Sequence, residues 1–179
     1  MTINRIMAVL ALILMLVQPV LASSDLTDII DNVLLELDPT IPYSQTAKEL
    51  LLLTVAVESD CGKGNLKKSR QIGIFQIEYA TLVETHQWAI DRKMLGWKLD
   101  QLREISEIHY HAALARIYYY RMATIPQVKW IPGGRGKIEE AYIPELAALW
   151  KSKYNTPDGK GTIKEAVRKY KMYYWERRY

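Results

Sequence analysis

Apolar residues along this chain recur in blocks with helical spacing. Residues 25 to 37 place leucine, isoleucine and valine every three or four positions, which predicts an amphipathic helix. Asp38-Pro39 ends that helix, and Pro42 keeps the link extended. Ser44 suits an N-cap. The helix it opens, 45 to 59, holds Leu50 to Leu53 and Val55 to Val57. That segment is apolar all round, so it is expected to be a central buried helix, with Gly62 and Gly64 as its stop. Over 71 to 78, Ile72, Ile74 and Gln76 alternate with Gly73, Phe75 and Ile77, as in a small strand or hairpin arm. Helical patterns return over 81 to 91, 99 to 107 and 107 to 123. Pro126, Pro132, Gly133, Gly134 and Gly136 predict a long loop. A helix follows over 138 to 152, its start delayed by Pro144. A turn at 155 to 159 then leads to Thr162, the N-cap of a last helix reaching about 174. The pattern is mainly α, with at most one small β element and no internal repeat.

The first 22 residues change the address. Arg5 precedes an apolar run from Ile6 to Val17, and Pro19 and Val20-Leu21-Ala22 follow before Ser23. A short positive start, an apolar middle and small residues at a cut describe a secretory signal peptide, cleaved after Ala22. The alternative is a retained signal-anchor, since about 17 apolar residues just span a bilayer. Residues 23 to 179 remain as one domain with enough chain for a real core. Hydrophobic residues at 49% and charged ones at 25% read as globular rather than disordered. The formal charge of +4 is compatible with an anionic polymer, a membrane surface or nucleic acid, and selects none of them. Cys61 stands alone, so a disulfide scaffold is excluded.

Candidate chemistry sits where the buried helix ends. Glu58 lies beside much apolar surface, and at the negative end of a helix dipole worth about 0.3–1 kcal/mol. Both features favour the neutral carboxyl, as a general acid requires. A solvated glutamate at a helix end is the plainer alternative. Gly73 lets a ligand approach the backbone. Gln76 offers a donor and an acceptor to sugar hydroxyls, and Phe75 an apolar face. A plain edge strand is the competing account of these three.

Glu58-Ser59, a short loop, then Gly73-Ile74-Phe75-Gln76-Ile77 resembles the Glu-Ser … Gly-Leu-Met-Gln-Ile pattern of lytic transglycosylases of the soluble-lytic type, whose fold goose-type lysozymes share. Ala112 to Tyr120 resembles the helix these enzymes place behind the cleft, and Trp150 to Thr162 is similar to a segment of a phage- and prophage-encoded branch. The resemblance covers about residues 45 to 170 and implies a lysozyme-like single domain. It implies that Glu58 is the catalytic acid/base, that Ser59 supports the acid or the sugar, and that Gln76 and the backbone near Gly73 hold the glycan. Tyr154-Asn155 would stand for the family's Tyr-Asn motif, with Tyr154 hydrogen-bonding near Glu58. Phe75 stands where the family has Met, and Thr156-Pro157 follows the Tyr-Asn pair where the family has small residues.

The activity implied is cleavage of the β-1,4 bond between N-acetylmuramic acid and N-acetylglucosamine in peptidoglycan. Hydrolases of this kind need two carboxylates, whereas a lytic transglycosylase works with one and forms a 1,6-anhydro sugar. Asp60 and Glu78 are the candidate second carboxylates. Asp60, two residues from Glu58, would point elsewhere on a helix, and Glu78 faces cleft or solvent. The single-acid mechanism is favoured, with a hydrolytic lysozyme as the alternative. A non-catalytic envelope-binding or virion structural protein of the same fold is an alternative from another class. No cofactor or metal is implied, because His109 and His111 are two apart on a predicted helix and His86 is remote. The expected partners are glycan strands and, through the retained N-terminal segment or the basic residues Arg168, Lys169, Lys171, Arg177 and Arg178, a membrane surface. The signal peptide and modest charge discourage a nucleic-acid partner. The expected location is exported, periplasmic or otherwise extracytoplasmic.

Overall fold

Ser44 starts the element on which the rest is built. In the computed structural model, which describes residues 23–63, 71–122, 138–155 and 159–176, the Ser44 hydroxyl accepts the Ala47 N–H at 3.3 Å and opens helix α2, Gln45–Ser59. Helix α1, Ser23–Leu37, precedes it. The expected N-terminal signal segment, the 126–136 loop, Thr156 to Asp158 and the basic Arg177 and Arg178 lie outside the described residues.

α2 is buried along nearly its whole length, from Thr46 to Ala56 and again at Ser59. It packs against α1, against α5 (Glu107–Met122), against α6 (Ile143–Trp150) and against α7 (Ile163–Tyr170). A helix touched on all sides has no polar face, which is why its sequence is apolar all round. The helix ends at Ser59, as expected, but the first left-handed residues after it are not glycines. Asp60 and Cys61 adopt left-handed backbone at φ 50° and 56°, ahead of Gly62 at φ 81°. Aspartate is one of the few residues with a side chain that visits this region readily. The Asp60 N–H bonds back to Val55 O, so the last turn closes at Ser59.

The Gly73 region is a complete hairpin rather than one arm. Strand β1, Gln71–Ile72, pairs antiparallel with β2, Ile77–Glu78, in the register Gln71 to Glu78 and Ile72 to Ile77. The alternation read from the sequence ends at Gly73, where the chain turns. Ile74, Phe75, Gln76 and Ile77 are then buried consecutively.

Helices α3 (Tyr79–Ile90) and α4 (Lys93–Ile105) form with α5 a packed group beside the hairpin. α3 begins two residues, and α4 six, before the expected starts. Gly96 weakens the local helical signal, yet it serves the packing: a Cβ there would lie 3.1 Å from the Ile90 Cα of α3. A 3₁₀ turn, Glu140–Tyr142, leads into α6, with Pro144 in its first turn as expected. The chain then runs on as a wide π turn, Lys151–Asn155. Thr162 Oγ1 accepts the Glu165 N–H at 3.2 Å and starts α7, which ends in a second π turn, Lys171–Trp175. Among the described residues the fold is mainly α with one two-stranded sheet. Among the described residues no helix is long and apolar enough to cross a membrane.

Candidate active site

The end of α2, the hairpin and the π turn after α6 converge on one cavity. Its volume is about 150 Å³, and Glu58, Gln71, Gln76, Ile77, Glu78, Thr81, Tyr118, Tyr154 and Asn155 line it. That is smaller than the ~300–1,000 Å³ of sites that enclose a whole small molecule.

Glu58 is the penultimate residue of α2 and half-buried. Its Oε1 accepts a hydrogen bond from the indole Nε1–H of Trp150 at 3.0 Å. Trp150 is the last residue of α6 and 0% exposed. The next two residues, Ser59 and Asp60, do not line the cavity. Ser59 donates to Val55 O at 3.2 Å and accepts the Gly62 N–H at 3.1 Å, so it shapes the turn and does not reach the cavity. Asp60 pairs with Lys169 of α7 at 2.8 Å, and Lys169 also donates to Val57 O at 3.2 Å. Asp60 is therefore engaged outside the cavity, as its spacing from Glu58 suggested.

A tyrosine wall closes one side. The Tyr119 and Tyr154 rings stack with centroids 5.4 Å apart, and Tyr118 meets Tyr154 edge-on at 5.7 Å. Tyr119 shares a 2.8 Å hydrogen bond with Thr54. Tyr118 donates to Lys153 O at 2.7 Å. Burial pushes the Tyr119 and Tyr154 hydroxyls well above the usual tyrosine value, and the Glu58 charge adds to both. Burial also raises Tyr118, with Glu84 and Glu78 contributing. All three stay protonated near neutral pH, so none serves as a base. The carboxyls that line the cavity are Glu58 and Glu78.

Gln76 is 2% exposed, with left-handed backbone at φ 49°, and donates through Nε2 to Gly73 O at 2.6 Å while lining the cavity. Glu78, half of the last ladder pair, lines the same cavity. Two expected substrate contacts are corrected. Phe75 is fully buried in the core and offers no face to the cavity, because the hairpin turn rotates it inward. Gly73 does not line the cavity either. Its φ of +69° and a Cβ position only 2.4 Å from His111 Nδ1 require glycine for packing rather than for ligand approach.

Tyr154 reaches the cavity by another bond than expected. Its hydroxyl donates to Phe75 O at 2.8 Å, tying the π turn to the hairpin. Asn155 lines the cavity, but its Oδ1 also accepts Lys151 Nζ at 2.9 Å within the turn. His109 and His111 are engaged close by: Ser106 meets His109 Nδ1 at 2.7 Å, and Glu107 lies 3.6 Å from His111 Nε2. Three basic residues of α7 and its π turn are likewise paired, Arg168 with Glu165, Lys169 with Asp60 and Lys171 with Glu140. That leaves less of their charge for a membrane surface than the sequence suggested.

The residue that sequence reasoning missed is Trp150. Nothing in its neighbourhood distinguishes it from a core tryptophan, and its acceptor lies 92 positions away. No protein-family model, no curated protein and no solved structure matches this chain.

Proposed function

We propose that this chain is a peptidoglycan-cleaving lytic transglycosylase of lysozyme-like fold, with Glu58 as its single acid/base. The observation that carries the reading is the placement of Glu58. It lies in the last turn of a buried helix, is held by an indole N–H, and borders a cavity whose lining tyrosines, Tyr118 and Tyr154, stay neutral. In the reaction the protonated Glu58 gives its proton to the glycosidic oxygen between N-acetylmuramic acid and N-acetylglucosamine. The C1–O bond breaks with assistance from the N-acetyl group. The Glu58 carboxylate then takes the proton of the C6 hydroxyl, and O6 closes onto C1. A 1,6-anhydro sugar forms, Glu58 is protonated again, and no water is consumed. Gln76 lies where an amide would orient a sugar hydroxyl or acetamido group.

A second reading is hydrolysis, favoured by Glu78 in the same cavity as Glu58. An inverting enzyme would use such a second carboxylate to activate water. The substrate would place the protein outside the cytoplasm, in keeping with residues 1 to 22 as an export signal. Incubating the purified protein with peptidoglycan and weighing the released muropeptides separates the readings. Anhydro ends, lighter by one water, support transglycosylation. Reducing ends support a lysozyme. Sedimentable binding without release leaves only a non-catalytic envelope protein.

A further inference from the structure

We infer that Trp150 is the positioning residue of the acid, fixing Glu58 through Oε1 so that Oε2 carries the transferred proton. This rests on the proposed cleavage at Glu58 and assigns the proton to one atom of it.

The indole Nε1–H is a donor only, so its 3.0 Å contact with Glu58 Oε1 runs in one direction. A protonated carboxyl accepts best through its carbonyl oxygen, so with Oε1 occupied the proton resides on Oε2. When the proton leaves, the same bond becomes charge-assisted and strengthens. Glu58 therefore need not turn between giving its proton and recovering one, and a single oxygen serves both steps.

Packing decides that the indole is a fixed donor. Trp150 is 0% exposed, at the end of a helix packed on both α2 and α7. Gly161, just ahead of the α7 cap, closes its far edge: a Cβ there would lie 2.4 Å from Trp150 Cη2. The tryptophan is thus held at one end by a glycine and presents its N–H at the other. A buried tryptophan usually finds some acceptor, so the test must separate a packing role from a positioning one.

Trp150→Phe keeps an aromatic ring and removes the N–H. The expected result is a folded protein with KM for glycan near that of the wild type and kcat lower by about 10- to 100-fold, the scale of a misplaced catalytic group. Losing a donor to the carboxylate also disfavours the charged form. The alkaline limb of the kcat profile should therefore move to higher pH. Groups near Glu58 that stay unchanged in that variant include Tyr118 and Tyr119 of α5, Tyr154 after α6, Glu78 of β2, and the Lys169–Asp60 pair between α7 and the end of α2. Gly161→Ala, which displaces the indole and also crowds the Asn155 amide at 3.2 Å without touching the acid, should lower kcat in the same direction. Should Trp150→Phe fail to fold, the indole N–H resonance of Trp150 in the wild type provides a readout independent of activity. It should shift as Glu58 titrates and stay constant with pH in Glu58→Gln.

Wild-type kcat and pH profile in a folded Trp150→Phe, with Glu58→Gln inactive, would overturn the positioning role alone. An indole resonance indifferent to Glu58 would overturn the bond. A wild type that never cleaves glycan removes the functional reading and the role with it, while the indole titration still decides the contact.

Discussion

Substituting Gly73 by alanine perturbs the hairpin that carries Gln76 into the cavity. Two independent penalties apply. The backbone at φ +69° lies in the left-handed region, where a residue with a Cβ is strained by about 1–2 kcal/mol. The new methyl would sit 2.4 Å from His111 Nδ1, 2.9 Å from Cε1 and 3.2 Å from Cγ. His111 is buried on α5 and cannot simply swing out, so the overlap adds about 1–3 kcal/mol. The sum, roughly 2–5 kcal/mol, is a large share of a typical domain's ~5–15 kcal/mol. Urea unfolding of Gly73→Ala, His111→Ala and the double variant measures it. The steric part should vanish in the double variant and the backbone part should remain, leaving a coupling of about 1–3 kcal/mol between the two sites. A Gly73→Ala stability within about 0.5 kcal/mol of wild type would refute both the contact and the turn geometry, and strict additivity would refute the contact alone.

Tyr154→Phe removes the donor to Phe75 O but keeps the ring on Tyr119, so stability should fall by about 1–3 kcal/mol, measured by urea unfolding. Cleavage should survive in that variant, because the hydroxyl ties the turn to the hairpin and does not transfer a proton. Burial holds His111 below its ordinary 6.5, with Glu107 raising it and Arg103 lowering it, and burial lowers His109 as well. Above 6.5 neither folded nor unfolded imidazole binds the proton; as pH falls below it, the unfolded chain binds protons that the folded one refuses. Stability contributed by the neutral rings should therefore be lost as pH falls through 6.5 toward the depressed folded values, with a shallower slope in His111→Gln, and a rise over that window would contradict the assignment. Glu78→Gln should leave anhydro muropeptides intact if Glu58 works alone; complete loss of products would favour the hydrolytic reading.

The parts of this fold that were legible in the sequence are those with a local cause. Ser44 and Thr162 cap the helices that follow them, and the unbroken apolar run of α2 can only be a buried helix. Glu58 stands out because it ends that run. What was not legible depends on contacts between distant segments. Phe75 could equally have faced a sugar; a turn with positive φ at Gly73 and Gln76 sends it inward. Gly96 reads as a weak point in a helix until Ile90 packs on it. The use of Gly73 is set by His111, and that of the Tyr154 hydroxyl by Phe75 O, 79 residues away. Trp150 opens the segment that resembles a known branch, yet nothing local marked it as the partner of Glu58, 92 residues away.

Glu58→Gln keeps the size of the side chain and an acceptor for the Trp150 N–H, while removing the transferable proton. Release of soluble muropeptides from purified peptidoglycan by this variant, set beside the wild type at equal folded concentration, addresses the proton directly. The account requires wild-type release of anhydro-ended fragments and none above background from the variant. Equal release from both proteins would mean that another group does the chemistry.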